Sequence, residues 1–146
     1  MKITINTDEN IKDTEVHITC NSLTPEIERL ISLVRMMEMQ LTGLKNGEIF
    51  IIDIGKVLYI DTVDKKTFIY TTKEEYESKL KLYELEEQLV KAGFFRGSKS
   101  SIINFKHIVS LKADIDRRLR VTLSNGEQLI VSRQYADQVK ERLGVR

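Results

Sequence analysis

Polar and apolar positions alternate with a period of two in residues 2–7 (Lys-Ile-Thr-Ile-Asn-Thr) and again in residues 15–20 (Glu-Val-His-Ile-Thr-Cys). Both stretches are rich in β-branched residues and predict strands joined through a turn at Asp8, Glu9 and Asn10. The period then lengthens. Thr24, Pro25 and Glu26 supply a capping hydroxyl, a proline at the first helical position and an acid at the positive end of the helix dipole. Ile27, Leu30, Ile31, Val34 and Met37 follow at the spacing of one apolar helical face, to be read as core or as a dimer interface. The cluster from Gly43 to Gly47 marks a turn and divides the chain into a β-β-α piece, residues 1–42, and the remainder, residues 43–146.

Beyond that point the pattern is strongly β. Residues 48–54, 57–61 and 67–72 predict strands, the last two forming a hairpin whose polar loop, 62–66, ends in Lys65 and Lys66. Residues 73–92 carry both periods and divide into a strand to about Leu80 and a short helix with Leu82, Leu85 and Leu89 inward. Gly93 to Ser100 reads as a loop dense in small and basic residues. Strands follow at 101–104, 108–112 and 119–123. Asn125-Gly126 suggests a type I′ turn into a last strand at 128–131. Ser132 stands where a helix cap is expected, with Tyr135, Val139 and Leu143 on one face and Gly144 at the end. The predicted fold class is mainly β with short helices.

A chain of 146 residues with 31% charged and 41% hydrophobic residues has the make-up of one ordinary globular domain with a small appendage. Its apolar runs are too short to span a bilayer, and its start lacks the basic then apolar blocks of a secretory leader, so the cytoplasm is the expected compartment. The single cysteine, Cys20, excludes an internal disulfide and is expected in a strand or the core. His17 and His107 stand far apart, so no metal or other cofactor is expected. The net charge of +1 hides an asymmetry. Residues 1–90 carry 11 Lys+Arg against 17 Asp+Glu, a net of −6, whereas residues 91–146 carry 12 against 5, a net of +7. A basic segment of this kind suits a polyanionic partner, although basic residues scattered over a solvated surface would give the same count.

Catalytic chemistry finds little support. No glycine-rich phosphate loop or nucleophile elbow occurs, and the acid pairs Glu74-Glu75 and Glu86-Glu87 lie in charge-rich segments suited to a solvated face. Neither an enzyme nor a small-molecule substrate is expected. Nucleic-acid chemistry fits better. Basic and hydrogen-bonding side chains gather at Lys65, Lys66 and Thr67 on the hairpin tip, at Arg96, Ser98, Lys99 and Ser100 in the glycine-containing loop, and at Arg133 beside a helix start. These groups suit phosphate oxygens, with an Arg or Lys able to reach a guanine edge.

The run Phe95-Arg96-Gly97-Ser98-Lys99-Ser100-Ser101-Ile102-Ile103-Asn104-Phe105-Lys106-His107-Ile108, followed by Val131-Ser132-Arg133-Gln134-Tyr135, resembles the two signatures of the LytTR family. Residues 57–61, the Lys65-Lys66 tip and the helix around Leu82 to Glu86 fit in order and spacing, so the resemblance covers roughly residues 43–146. It implies an elongated β-β-β DNA-binding domain that meets duplex DNA through loops, at positions falling here on Lys65, Lys66 and Thr67, on Lys99 with Ser98 and Ser100, and on Arg133. The family often has His or Arg where this chain has Ser98, which leaves base preference open. Arg96 has two readings, a phosphate ligand or the partner of an internal acid such as Asp61. Asn104 and Ser132 suit turn and cap roles, Phe95 the core and His107 a packed strand position.

The resemblance further implies a short stand-alone transcriptional regulator, of a kind often encoded beside a small integral membrane protein. Paired half-sites would call for a homodimer, with residues 1–42 as the dimerising piece. A protein-interaction or ligand-sensing β module is the alternative, kept open by the acidic first part. Single-strand or RNA binding ranks third, because the tyrosines and phenylalanines fall mostly at core positions.

Overall fold

The computed structural model describes residues 1–144. Thr24 caps the first helix, α1 (Pro25–Glu38), its hydroxyl accepting from the Ile27 amide at 3.4 Å, with Pro25, Glu26 and Glu28 in the first turn. Ten strands follow: β1 (Gln40–Lys45), β2 (Glu48–Asp53), β3 (Val57–Val63), β4 (Lys66–Thr71), β5 (Glu75–Ser78), β6 (Phe94–Ser98), β7 (Ser101–Asn104), β8 (Ile108–Ala113), β9 (Leu119–Leu123) and β10 (Gln128–Val131). Helix α2 (Leu82–Leu89) joins β5 to β6 through a 3-10 turn, and α3 (Arg133–Arg142) follows β10.

The strands build a seven-stranded antiparallel sheet in the order β2-β1-β5-β4-β3-β7-β6 and a three-stranded one in the order β10-β9-β8. Successive strand residues point to opposite faces, and this divides the apolar side chains between two cores. Phe94, Ile102, Ile60 and Ile69 pack under α2 with its Leu82, Leu85 and Leu89. Phe95 and Ile103, with Leu58 and Tyr59 brought to one side by a β-bulge in β3, pack on the other face against Leu119, Val121, Leu123 and Val131 of the small sheet and Ala136 and Val139 of α3. The unbroken apolar run from Val57 to Ile60 is therefore buried throughout, because both faces of β3 are covered.

Several expectations need correction. Residues 2–7 and 15–20 form no strand; they lie along the exposed lead into α1, and Cys20 is exposed rather than in strand or core. Their alternation is real, but an isolated pair of strands is marginal in water without an apolar surface to cover, and Ile3, Ile5 and Val16 meet none here. Gly43 is not in a turn. It lies within β1, where an added Cβ would come 2.5 Å from Cβ of Tyr76 on β5, so close approach of the two strands requires glycine. The turn is confined to Asn46 and Gly47, both at positive φ (50° and 79°), the I′ form that matches strand twist. The expected loop 93–100 is mostly the strand β6 after a left-handed Gly93. At Asn125-Gly126 only the glycine is left-handed (φ 88°), and the Leu123–Glu127 bond closes a three-residue loop instead of type I′.

Candidate nucleic-acid interface

The β3–β4 turn is tighter than the sequence suggested. Asp64 and Lys65 both take left-handed angles (φ 52° and 66°), so the strands reach Val63 and Lys66 and the tip has only two residues. Lys65 and Lys66 are exposed there. Thr67, one position further, faces inward at 5% exposure, between its register partners Thr62 and Ser78.

Two backbone bonds bring the other clusters to the same end of the fold. The Thr62 amide donates to the Ser100 carbonyl at 2.8 Å, which docks the β6–β7 turn against the hairpin stem. The Ser132 amide donates to the Gly97 carbonyl, also at 2.8 Å, which docks the start of α3 against β6. As a result Ser98, Lys99, Ser100, Ser132, Arg133 and Gln134 line one open hollow. Lys99, Ser100 and Arg133 are exposed on its rim.

Arg96 does not pair with Asp61. It points back under the turn: Nη1 lies 3.0 Å from Glu86 of α2, Nε donates to the Ser98 carbonyl at 3.1 Å and Nη2 to the Lys99 carbonyl at 2.7 Å. Its planar set of donors thus holds the loop from within. Ser98 is engaged as well, its hydroxyl accepting from the Ser100 amide at 3.1 Å and lying 2.9 Å from the Ser101 hydroxyl. Ser132 occupies the cap position of α3, but its hydroxyl makes no capping bond; its Oγ is buried without a partner among the described residues. Asn104 is a turn residue: its side-chain amide donates to the Val57 carbonyl at 2.8 Å and its oxygen accepts from the Lys106 amide at 3.1 Å. His107 is packed between the Gly55 carbonyl, at 2.7 Å, and the Ser124 hydroxyl, at 3.0 Å.

Behind the hairpin lies a polar cluster in the second core. Tyr59 and Tyr70 stack with ring centroids 4.5 Å apart, and the Tyr59 hydroxyl donates to Glu127 at 2.8 Å. Burial raises both phenols, Tyr70 to about 12, and the carboxylates Glu127 and Asp61 add to the effect. Burial also pushes the Asp61 carboxyl above its ordinary value, only partly offset by a hydrogen bond from Tyr70. Asp61 Oδ1 is buried with no hydrogen-bond partner among the described residues.

Arg133 has a second set of neighbours that the sequence motifs do not single out. With Asp116 and Arg118, from the loop joining β8 to β9, it lines a shallower hollow beside the first. In the sequence, Asp116-Arg117-Arg118 is an ordinary polar loop; only the packing of that loop at the head of α3 places it here.

The LytTr DNA-binding domain family matches residues 47–144. An uncharacterized HTH-type transcriptional regulator of Staphylococcus aureus strain MSSA476 is 31% identical over 140 residues, covering 93% of this chain and 95% of its own. Another from strain NCTC 8325 is 29% identical over 147 residues and covers 99% of both chains. The LytTr DNA-binding domain of a Bacillus cereus protein, described as a methyl-accepting/DNA response regulator, superposes with a TM-score of 0.69 at 29% identity, covering 73% of this chain and 97% of that one. Among the described residues no two α-helices are joined by a short turn, and no helix is long and apolar enough to cross a membrane.

Proposed function

This chain belongs to the LytTr DNA-binding domain family, and we propose on that premise that it is a sequence-specific transcriptional regulator, acting in the cytoplasm, that holds duplex DNA through loops rather than through a recognition helix. The observation that carries this reading is the gathering of the exposed Lys99, Ser100 and Arg133 around one hollow, with the Lys65-Lys66 tip tied to it through the Thr62–Ser100 bond. Lys65 and Lys66 neutralise phosphates; Lys99 and Arg133 reach base edges. Ser98 and Arg96 shape the loop that presents Lys99, and Thr67 closes the sheet behind the tip. No catalytic role or small-molecule substrate is assigned.

In the same reading the dimerising piece is α1 with its lead; the boundary expected between residues 42 and 43 falls inside β1, whose Leu41 belongs to the first core, so the DNA-binding domain begins at Gln40. Leu33, Met36 and Met37 stand exposed on α1, more apolar surface than a lone helix ordinarily leaves in water. The similarity to a Staphylococcus aureus relative extends over 99% of both chains and so includes this piece. A co-encoded small membrane protein is a further partner in this reading.

The test is binding of the full chain to fluorescent duplex from its own promoter region and to unrelated duplex over a salt series, with sedimentation of the complex. Preference for the promoter, a steep salt dependence and two chains per duplex are expected. Equal or absent binding to both duplexes at low salt would leave the interaction-module reading in its place.

A further inference from the structure

Asp114, Asp116, Arg117 and Arg118 form a loop with more internal order than a plain connection between β8 and β9 needs. Asp114 fixes its base: the carboxylate accepts from the Ile115 amide at 2.8 Å and pairs with Arg120 at 3.2 Å, while the Asp114 amide donates to the Arg118 carbonyl at 2.9 Å. The same contacts, the Ile115 amide first, hold the Asp114 carboxyl below its usual range, so the anchor is charged at neutral pH. Above this base Asp116 and Arg117 both adopt left-handed angles (φ 60° and 63°), and the Arg118 amide donates to the Ile115 carbonyl at 3.3 Å, which closes a tight two-residue turn. Arg120 is engaged by Asp114 and Gln128. Arg118 Nε donates to the Ile115 carbonyl at 3.2 Å, while Arg117 and Arg118 are both exposed and make no ion pair among the described residues.

Arg133 stands between two hollows. It lines one together with Lys99 and Ser100 and the other together with Asp116 and Arg118, two guanidinium groups to one carboxylate. The exposed cations therefore form one succession of neighbours: hairpin tip, β6–β7 turn, head of α3, and then the β8–β9 loop.

We propose that the β8–β9 loop is a further DNA-contact site, in which Arg117 and Arg118 bind backbone phosphates beyond the stretch met by Arg133. The site rests on the DNA-binding reading above and lengthens its footprint. Its role is positioning: guanidinium groups on a stiff loop take phosphate oxygens without reading bases.

The experiment compares the full-length protein with the double variant Arg117→Gln/Arg118→Gln and the charge-retaining Arg117→Lys/Arg118→Lys, on promoter and unrelated duplex over a salt series with hydroxyl-radical footprinting. The Gln pair should weaken both duplexes by the same factor, lower the log–log salt slope by about 0.9 for each phosphate left without its cation, and shorten protection at one end of the site. The Lys pair should keep most of the slope, which separates charge from misfolding. A slope and footprint unchanged in the Gln pair would overturn the loop site while leaving the DNA-binding reading intact. Weakening confined to the promoter would overturn the phosphate assignment. No binding by the unaltered protein would overturn both readings.

Discussion

Arg96 and Glu86 meet at 3.0 Å between β6 and α2, and the same guanidinium carries the carbonyls of Ser98 and Lys99. One side chain thus connects the first core to the turn that presents Lys99. Arg96→Ala should destabilise the fold by about 1–3 kcal/mol, the range for removing hydrogen bonds to a charged group. Duplex affinity should fall as well, although Arg96 does not face outward. Urea unfolding with a binding titration measures both, and Arg96→Lys should recover little, since one ammonium cannot serve three acceptors.

The tip and the hollow should separate by salt and sequence. Lys65→Ala and Lys66→Ala are expected to weaken promoter and unrelated duplexes alike, each lowering the salt slope by about 0.9. Lys99→Ala and Arg133→Ala should cost about 1–3 kcal/mol on the promoter and relax discrimination against single-base changes. Thr67→Val, by contrast, should leave duplex affinity unchanged, because that side chain is enclosed by the sheet. Fluorescence anisotropy against a panel of substituted duplexes decides among these outcomes.

Asp61 sets a pH dependence with a definite sign. Its carboxyl is raised in the fold above the ordinary value of 3.8 by burial, so the folded chain binds the proton more tightly than the unfolded one. The penalty for its charge is then present at neutral pH and shrinks as pH falls from the raised value toward 3.8. Asp61→Asn should be more stable than the parent at pH 7, and the difference should narrow through that acidic window. Paired denaturation curves at several pH values report it; a constant difference would show that burial of the charge is not the cause.

Gly43→Ala tests the close approach of β1 and β5. Its Cβ would lie 2.5 Å from Tyr76 Cβ and 2.8 Å from Ile52 Cδ1, so backbone or buried side chains must shift. A destabilisation of about 1–3 kcal/mol is expected from such overpacking, read as a lower thermal midpoint.

The elements of residues 43–144 were largely legible because their apolar spacing agrees with their burial: Leu82, Leu85 and Leu89 really do face one core. The exposed positions of Lys65, Lys99 and Arg133 were legible from turn and cap chemistry, which the two signatures reinforce for Lys99 and Arg133. Thr67 was not, since a one-residue difference in turn length decides which face of a strand a side chain takes. Residues 2–7 and 15–20 show the complementary limit: alternation states which face would be apolar, not whether a surface exists to receive it. Arg118 was invisible for a third reason, that its neighbour Arg133 lies on another element and is reached only through packing.

The pairing of Tyr59–Asp61 with Ser101–Ile103 also has a kinetic side. These segments are about forty residues apart, so their registry closes a long loop before any ladder bond rewards it. While the chain emerges from the ribosome, the β3–β4 hairpin can zip on local contacts, yet the second edge of β3 stays open until β7 has been made. The Lys65-Lys66 tip is therefore among the early parts to take shape, and the rest of the contact surface is completed only by the last third of the chain.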